Sequence, residues 1–284
     1  MRSIIAMLVL SVLGAGFVTT TTHADSLKIR PTLYKNIVLE RGEKAKSFVD
    51  ISNPTASVQE IKLSVQRYKQ IDDNGSLTFF NDESVSKGLK LDLDNFELNP
   101  RDSIRVYFQL DGSILPSGDI FAAIFAKTVP KDSMVAQAVQ VGTLLSITNG
   151  TPLSHSIEIT ELSSGFVQWG DSIDASMVLK NTAQEGSATG FFPQISVKLQ
   201  PYSTRSVEGP LIFAGRSRTI SYTQKGNYFG FIQLNVDAEG SHAGRWLFAI
   251  TGFWRWLAPL IIFVIFLGTF SWRQRRRKYS KKRS

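Results

Sequence analysis

The sequence predicts an all-β chain: two tandem immunoglobulin-like β-sandwich domains followed by one C-terminal transmembrane helix. Three observations lead there. Apolar residues alternate with polar ones in many short runs, turn-forming residues separate the runs, and one apolar stretch flanked by tryptophans enters a dense basic tail.

The chain opens as a secretory signal peptide, residues 1–24. Arg2 supplies the positive start, Ile4 to Val18 the apolar segment, and Thr22-His23-Ala24 the small residue at the cleavage edge. Beyond it, no convincing helical periodicity occurs, but period two does. Ile61, Leu63 and Val65 alternate with polar residues, as do Ile104, Val106, Phe108 and Leu110. Further on, Ile173, Ala175, Met177 and Leu179 share one face, as do Ile195, Val197 and Leu199, and then Ile232, Leu234 and Val236. Period two buries one face and wets the other, as in a sandwich strand. Ile120 to Ala126 is continuously apolar and short, which predicts a central strand covered on both sides.

Turn chemistry punctuates these runs at Asn53-Pro54, Asp73-Asn74-Gly75, Asn99-Pro100-Arg101-Asp102, Pro116-Ser117-Gly118, Asn149-Gly150, Lys225-Gly226-Asn227 and Glu239-Gly240. Asparagine and glycine tolerate positive φ and proline presets a corner. Residues 27–149 are read as the first domain and 153–250 as the second, joined by a short hinge at Asn149-Gly150-Thr151-Pro152.

The expected membrane span covers residues 254–272. Trp254, Trp256 and Trp272 sit where an aromatic belt would lie, and the tail 273–284 begins with Arg273, Arg275, Arg276, Arg277 and Lys278. This orientation places the amino-terminal domains outside the cell membrane and the tail in the cytoplasm. The tail and Arg2 hold nine of the 32 basic residues; the other 23 face 24 acidic ones, so residues 25–272 carry about −1. The excess charge therefore marks topology, and no nucleic-acid partner is expected. With no cysteine in the chain, a disulfide framework, thiolate metal sites and a cysteine nucleophile are excluded.

No enzymatic signature is found: GxSxG, HExxH, Walker and dinucleotide motifs are all missing. His155 and His242 read as surface residues before metal ligands, and no cofactor or metal is expected. Asp72-Asp73-Asn74-Gly75 with Glu83 resembles a calcium loop, but Leu77 stands where an EF-hand needs glycine, so a hairpin turn is the better account. Aromatic residues offer a ligand platform at Phe79 and Phe80, at Phe191 and Phe192, and at Tyr202. Trp169 and Trp246 are assigned to the core.

The order Lys28-Ile29-Arg30-Pro31, Leu39-Glu40-Arg41-Gly42-Glu43, Val49-Asp50-Ile51-Ser52-Asn53, Phe96-Glu97-Leu98-Asn99-Pro100 and Pro116-Ser117-Gly118-Asp119-Ile120-Phe121 resembles the WxL-interacting proteins of Gram-positive bacteria. That resemblance implies a signal peptide, two Ig-like domains, a C-terminal span and a basic tail, with one domain engaging peptidoglycan and the other a partner. Asn99-Pro100-Arg101-Asp102 departs from the family's proline-glycine turn. The strand pattern, including Arg67-Tyr68-Lys69-Gln70, also resembles, more weakly, the amino-terminal domain of periplasmic pilus chaperones. The expected function is a non-enzymatic, membrane-anchored surface scaffold engaging a cell-wall polymer or another exported protein. The alternative is a membrane-tethered, pilus-type assembly chaperone that uses an exposed edge strand, Ala138 to Ile147.

Overall fold

The structure is a computed structural model described over residues 26–129, 138–151, 153, 155–183, 190–252 and 261–269. The signal peptide expected at 1–24 and the tail at 273–284 lie outside the described residues, as do Trp254, Trp256, Trp272, Arg273, Arg275, Arg276, Arg277 and Lys278.

The first sandwich is built from β1 (Lys28–Arg30), β2 (Leu33–Leu39), β3 (Lys44–Ser52), β4 (Gln59–Gln70), β5 (Leu77–Phe80), β6 (Leu89–Leu91), β7 (Asn95–Leu98), β8 (Ser103–Asp111), β9 (Gly118–Val129) and β10 (Gln140–Asn149). One sheet runs β1-β3-β8-β6; the other runs β2-β10-β9-β4-β5, with β7 also on β4. Pro31, which has no amide hydrogen for a ladder, stands where the chain leaves one sheet for the other. Inward residues of the predicted alternation, among them Ile61, Val106, Phe108 and Leu110, close the core with Ile51, Ile120, Ile124 and Leu145. Each such side chain contributes about 1.5–3 kcal/mol on burial.

The second sandwich contains β11 (Ile157–Ser164), β12 (Val167–Gly170), β13 (Ser172–Asn181), β14 (Gly190–Phe191), β15 (Gln194–Gln200), β16 (Ser203–Glu208), β17 (Ile212–Phe213), β18 (Ser217–Lys225), β19 (Tyr228–Ala238) and β20 (Ser241–Thr251). Its sheets run β11-β13-β18 and β12-β20-β19-β15-β16, with β14 paired to β17. Ile173, Met177, Leu179, Val197, Leu199, Ile232, Leu234 and Val236 fill a separate core. The two sandwiches share one device: the opening segment divides between both sheets, and its second half pairs in parallel with the last strand, β2 with β10 and β12 with β20.

Several local expectations are revised. One short helix, α1 (Glu83–Gly88), interrupts the strands; the Asp82 carboxylate caps it, accepting from the Ser84 and Val85 amides. Glu83 pairs with Lys87 one turn on. The turn asparagines Asn53 and Asn149 do not take positive φ; both are buried and clamp loops. The Asn149 side-chain amide donates to the carbonyls of Gly112, Leu115 and Pro116 at 3.0–3.1 Å. At Asn99-Pro100-Arg101-Asp102 it is Arg101 that adopts the left-handed conformation, φ 58°. Trp169 and Trp246 are not core residues. Both point away from the sandwich interior, because each falls on the outer parity of its strand: their neighbours Gln168 and Leu247 point in.

Ala138 to Ile147 is not an edge strand throughout either. β10 lies between β9 and β2, and its β2 register begins at Leu144, which leaves only the upstream half paired on one side. Among the described residues no helix is long and apolar enough to cross a membrane. Of the expected span 254–272, residues 261–269 are described; they are helical, and Ile261 to Leu267 are all exposed.

Candidate binding surfaces

The outer face of a half-solvated antiparallel sheet is ordinarily polar. On the five-stranded sheet of the second sandwich it is aromatic. Outward positions on β20 are Trp246, Phe248 and Ile250; on β19 they are Phe229 and Phe231; on β12 they are Val167 and Trp169. Register brings them together, since Phe231 and Val167 both oppose Phe248, while Phe229 and Trp169 both oppose Ile250. The Phe231 and Phe248 rings meet edge-on at 5.1 Å. Trp169 is 64% exposed, Phe231 66% and Trp246 58%. With aromatic side chains of ~150–250 Å² each, this face presents on the order of 500 Å² of apolar surface, a patch of functional size. The other end of the same face is polar: Gln233, Asn235 and Asp237 on β19, and His242, whose Nδ1 lies 2.5 Å from Asp237 Oδ2. On the opposite sheet the outward residues of β18 are Thr219, Ser221, Thr223 and Lys225.

The first sandwich carries a second aromatic outer face, on β9 and β4. Phe121, Ala123 and Phe125 alternate with the core-facing residues of β9 and gather with Tyr68. This face is closed by the second sandwich: Phe213 packs 4.6 Å from the Phe121 ring and 6.2 Å from that of Tyr68. The continuously apolar run 120–126 is therefore covered from both sides, by its own core and by the neighbouring domain.

Polar ties seal this junction. Gln70, buried, accepts the Phe213 amide and donates to the Ser217 carbonyl, both at 3.3 Å, while Asp73 accepts the Ser217 amide at 2.9 Å. Gly75 has φ 88°, a conformation that favours glycine, and the Arg218 guanidinium fills the space beside its Cα, so a larger residue would both strain the turn and displace that side chain. Lys35 pairs with Glu208 at 2.8 Å and lies over the Phe192 ring. Asp119, on β9, is buried; Thr148 donates to one carboxylate oxygen, the other has no hydrogen-bond partner, and His155 Nε2 stands 3.9 Å from it. Burial pushes the Asp119 carboxyl above the ordinary carboxylate range, opposed by Thr148 and His155.

The five aromatic candidates fall into three places. Phe79 and Phe80 lie on β5, where Phe79 packs edge-on against Phe125 at 4.8 Å and Lys69 reaches over Phe80. Phe191 stacks on His155 and Phe192 lies under Lys35, both at the domain junction. Tyr202 is half exposed and borders the open aromatic face, donating its hydroxyl to the Phe229 carbonyl at 2.7 Å. His155 and His242 sit in different regions, and among the described residues no group of three His, Cys, Asp or Glu gathers to hold a metal.

Sequence reasoning passed over Phe229 and Phe231, although a signal was there. Ile232, Leu234 and Val236 face inward, so odd positions on the same strand must face out. On β20, Trp246 to Ile250 is apolar on both parities, so alternation could not reveal its outward face.

Neither a protein-family model nor a curated protein sequence matches the chain. Among solved structures it is similar to the class 5 fimbriae chaperone CfaA, at 12% identity and TM-score 0.40, over 78% of this chain and 99% of that one. It is also similar to the CsuC–CsuE chaperone–tip subunit pre-assembly complex of Acinetobacter baumannii, at 12% identity and TM-score 0.38, over 79% and 99%. A third is the E. coli chaperone DraB, at 14% identity and TM-score 0.35, over 79% and 97%. These distant similarities fall on the weaker of the two resemblances drawn from the sequence; the WxL-interacting resemblance receives no support from them.

Proposed function

We propose that this chain is an exported, membrane-anchored protein that acts by binding, not catalysis, and that it takes a segment of another exported protein as an added strand on β10. The observation that carries this reading is the half-open edge of β10. Residues 140–142 pair with β9 alone, Thr143 is closed off by its hydroxyl's bond to the Pro31 carbonyl, and Val139 and Val141 rest partly buried against the first core. A strand paired on one side offers a row of backbone donors and acceptors, and alternate apolar side chains provide selectivity. Other edges are less inviting. β16 carries Arg205 and Glu208, and β2 is interrupted by Asn36 at φ 53°. Anchoring is supported by residues 261–269, a helix whose large apolar side chains are exposed from Ile261 to Leu267, a pattern that suits a hydrocarbon environment. The basic run 273–284 comes directly after it in the sequence.

The test is photocrosslinking from position 140 in the full-length, membrane-embedded chain, with mapping of the adduct. The expected product is a cross-link to one exported protein, within a segment of alternating apolar residues, lost in Val141→Lys. Retention of the chain on purified peptidoglycan without any protein adduct would replace this reading with wall-polymer binding.

A further inference from the structure

We infer that the aromatic face formed by β12, β20 and β19 is a lipid-docking surface that lays the second sandwich against the bilayer from which the chain emerges. This rests on the anchored reading above. Three observations point to lipid as the occupant.

The first is where the apolar residues lie. On β20 the outward residues pass from His242 and Gly244 to Trp246, Phe248 and Ile250 as the strand approaches its end at Thr251. On β19, which runs the other way, Phe229 and Phe231 lie at the start, with Gln233, Asn235 and Asp237 beyond them. The face is thus polarised along the strand axis, apolar at the end where the chain leaves the sandwich. From Trp246 to Thr251 is about 17 Å at strand rise.

The second is the reach of the connection. Ten steps along the chain lead from Thr251 to Ile261, where the exposed apolar helix starts. Even fully extended they span at most about 35 Å, and about 15 Å if helical. With that helix in a bilayer, the aromatic end of the sheet cannot lie far from the headgroups.

The third is the chemistry of the surface. Two tryptophans and two phenylalanines stand at the exposed positions, where a sandwich face ordinarily carries polar side chains. Tryptophan favours the boundary between water and hydrocarbon, where its flat ring meets acyl chains and its N–H meets headgroups. The opposite sheet of the same domain, with Thr219, Ser221 and Thr223 outward, presents no such surface. The sandwich therefore has a membrane side and a water side, and docking would hold β10 of the first sandwich in a defined orientation relative to the bilayer.

Because the chain has no cysteine, single cysteines report cleanly. Phe231→Cys and, as the control, Ser221→Cys would be introduced into the full-length chain, labelled with an environment-sensitive fluorophore and reconstituted in phosphatidylcholine vesicles. The expected result is loss of most of the emission at position 231 to nitroxide-bearing lipid and little loss to aqueous iodide, with the reverse at position 221. Iodide access at 231 equal to that at 221, in a chain that resists alkaline extraction, would sink the docking surface while leaving the anchor intact. A label at 231 shielded from both quenchers would overturn it too, because the face is then covered by protein. Release of the chain by alkaline extraction would remove the anchor and the docking together.

Discussion

Two aromatic faces stand on the outer sides of the two sandwiches, and they meet different fates. In the first, Tyr68, Phe121 and Phe125 are closed over by Phe213 of the second domain. In the second, Trp169, Phe231 and Trp246 are left exposed. Each face belongs to the sheet that contains its domain's last strand, and in each that strand is joined in parallel by the domain's opening segment. The difference lies in the continuation of the chain. After β10 comes a second domain, whose β17 falls onto the first face; after β20 comes the connection to the apolar helix. The first aromatic row is thus covered by the segment of chain that follows its domain, whereas no domain follows the second within the described residues.

The largest expected effect comes from uncovering the closed face. Phe213→Ala removes a buried ring from the junction and should cost about 3 kcal/mol, by analogy with other buried phenylalanine truncations. Calorimetry should then resolve the two sandwiches as separate transitions, against a single transition expected of the native chain. If Phe213→Ala leaves a single transition at the native temperature, the closed face is not what couples the domains.

A smaller effect is expected at the polar margin of the same junction. Burial raises the Asp119 carboxyl, so the folded chain holds its proton more tightly than the unfolded chain does. That contribution is complete below the ordinary carboxylate pKa and is lost as pH rises through the raised value. Asp119→Asn should accordingly gain stability at neutral pH, with the gain shrinking towards zero in acid, as read from thermal unfolding at both. A gain independent of pH would place its cause elsewhere.

The smallest change in stability should come from the open face. Trp246→Thr keeps a strand-forming residue and should shift unfolding by about 0.5 kcal/mol or less. Its effect should fall on association with lipid vesicles, which weakens. A loss as large as that of Phe213→Ala would mean that Trp246 serves the core after all.

The inner faces were legible in the sequence because period two is a local property. Ile173 to Leu179, Ile195 to Leu199 and Ile232 to Val236 each declare their buried side by alternation alone, and the observed strands bury those residues. The hairpin at Asp73-Asn74-Gly75 was also legible as a turn, and the run 120–126 as a strand covered twice. Its second cover, Phe213, lies far along the chain, and nothing local names it. The same gap explains Trp169 and Trp246. A large apolar side chain is ordinarily assigned inward, but strand parity sends both outward, and on a strand apolar on both parities, such as β20, only the register of its neighbours reveals which side is the core.

The sequence by itself therefore determined the all-β class and the inward residues of those strands that alternate cleanly, because these arise from backbone geometry acting over a few residues. Only the tertiary structure decided which aromatic residues face out, which of those are covered, and which half of β10 is left open. Those outcomes depend on pairing between segments far apart in the chain, and a one-residue choice of parity or register exchanges a core side chain for a surface one.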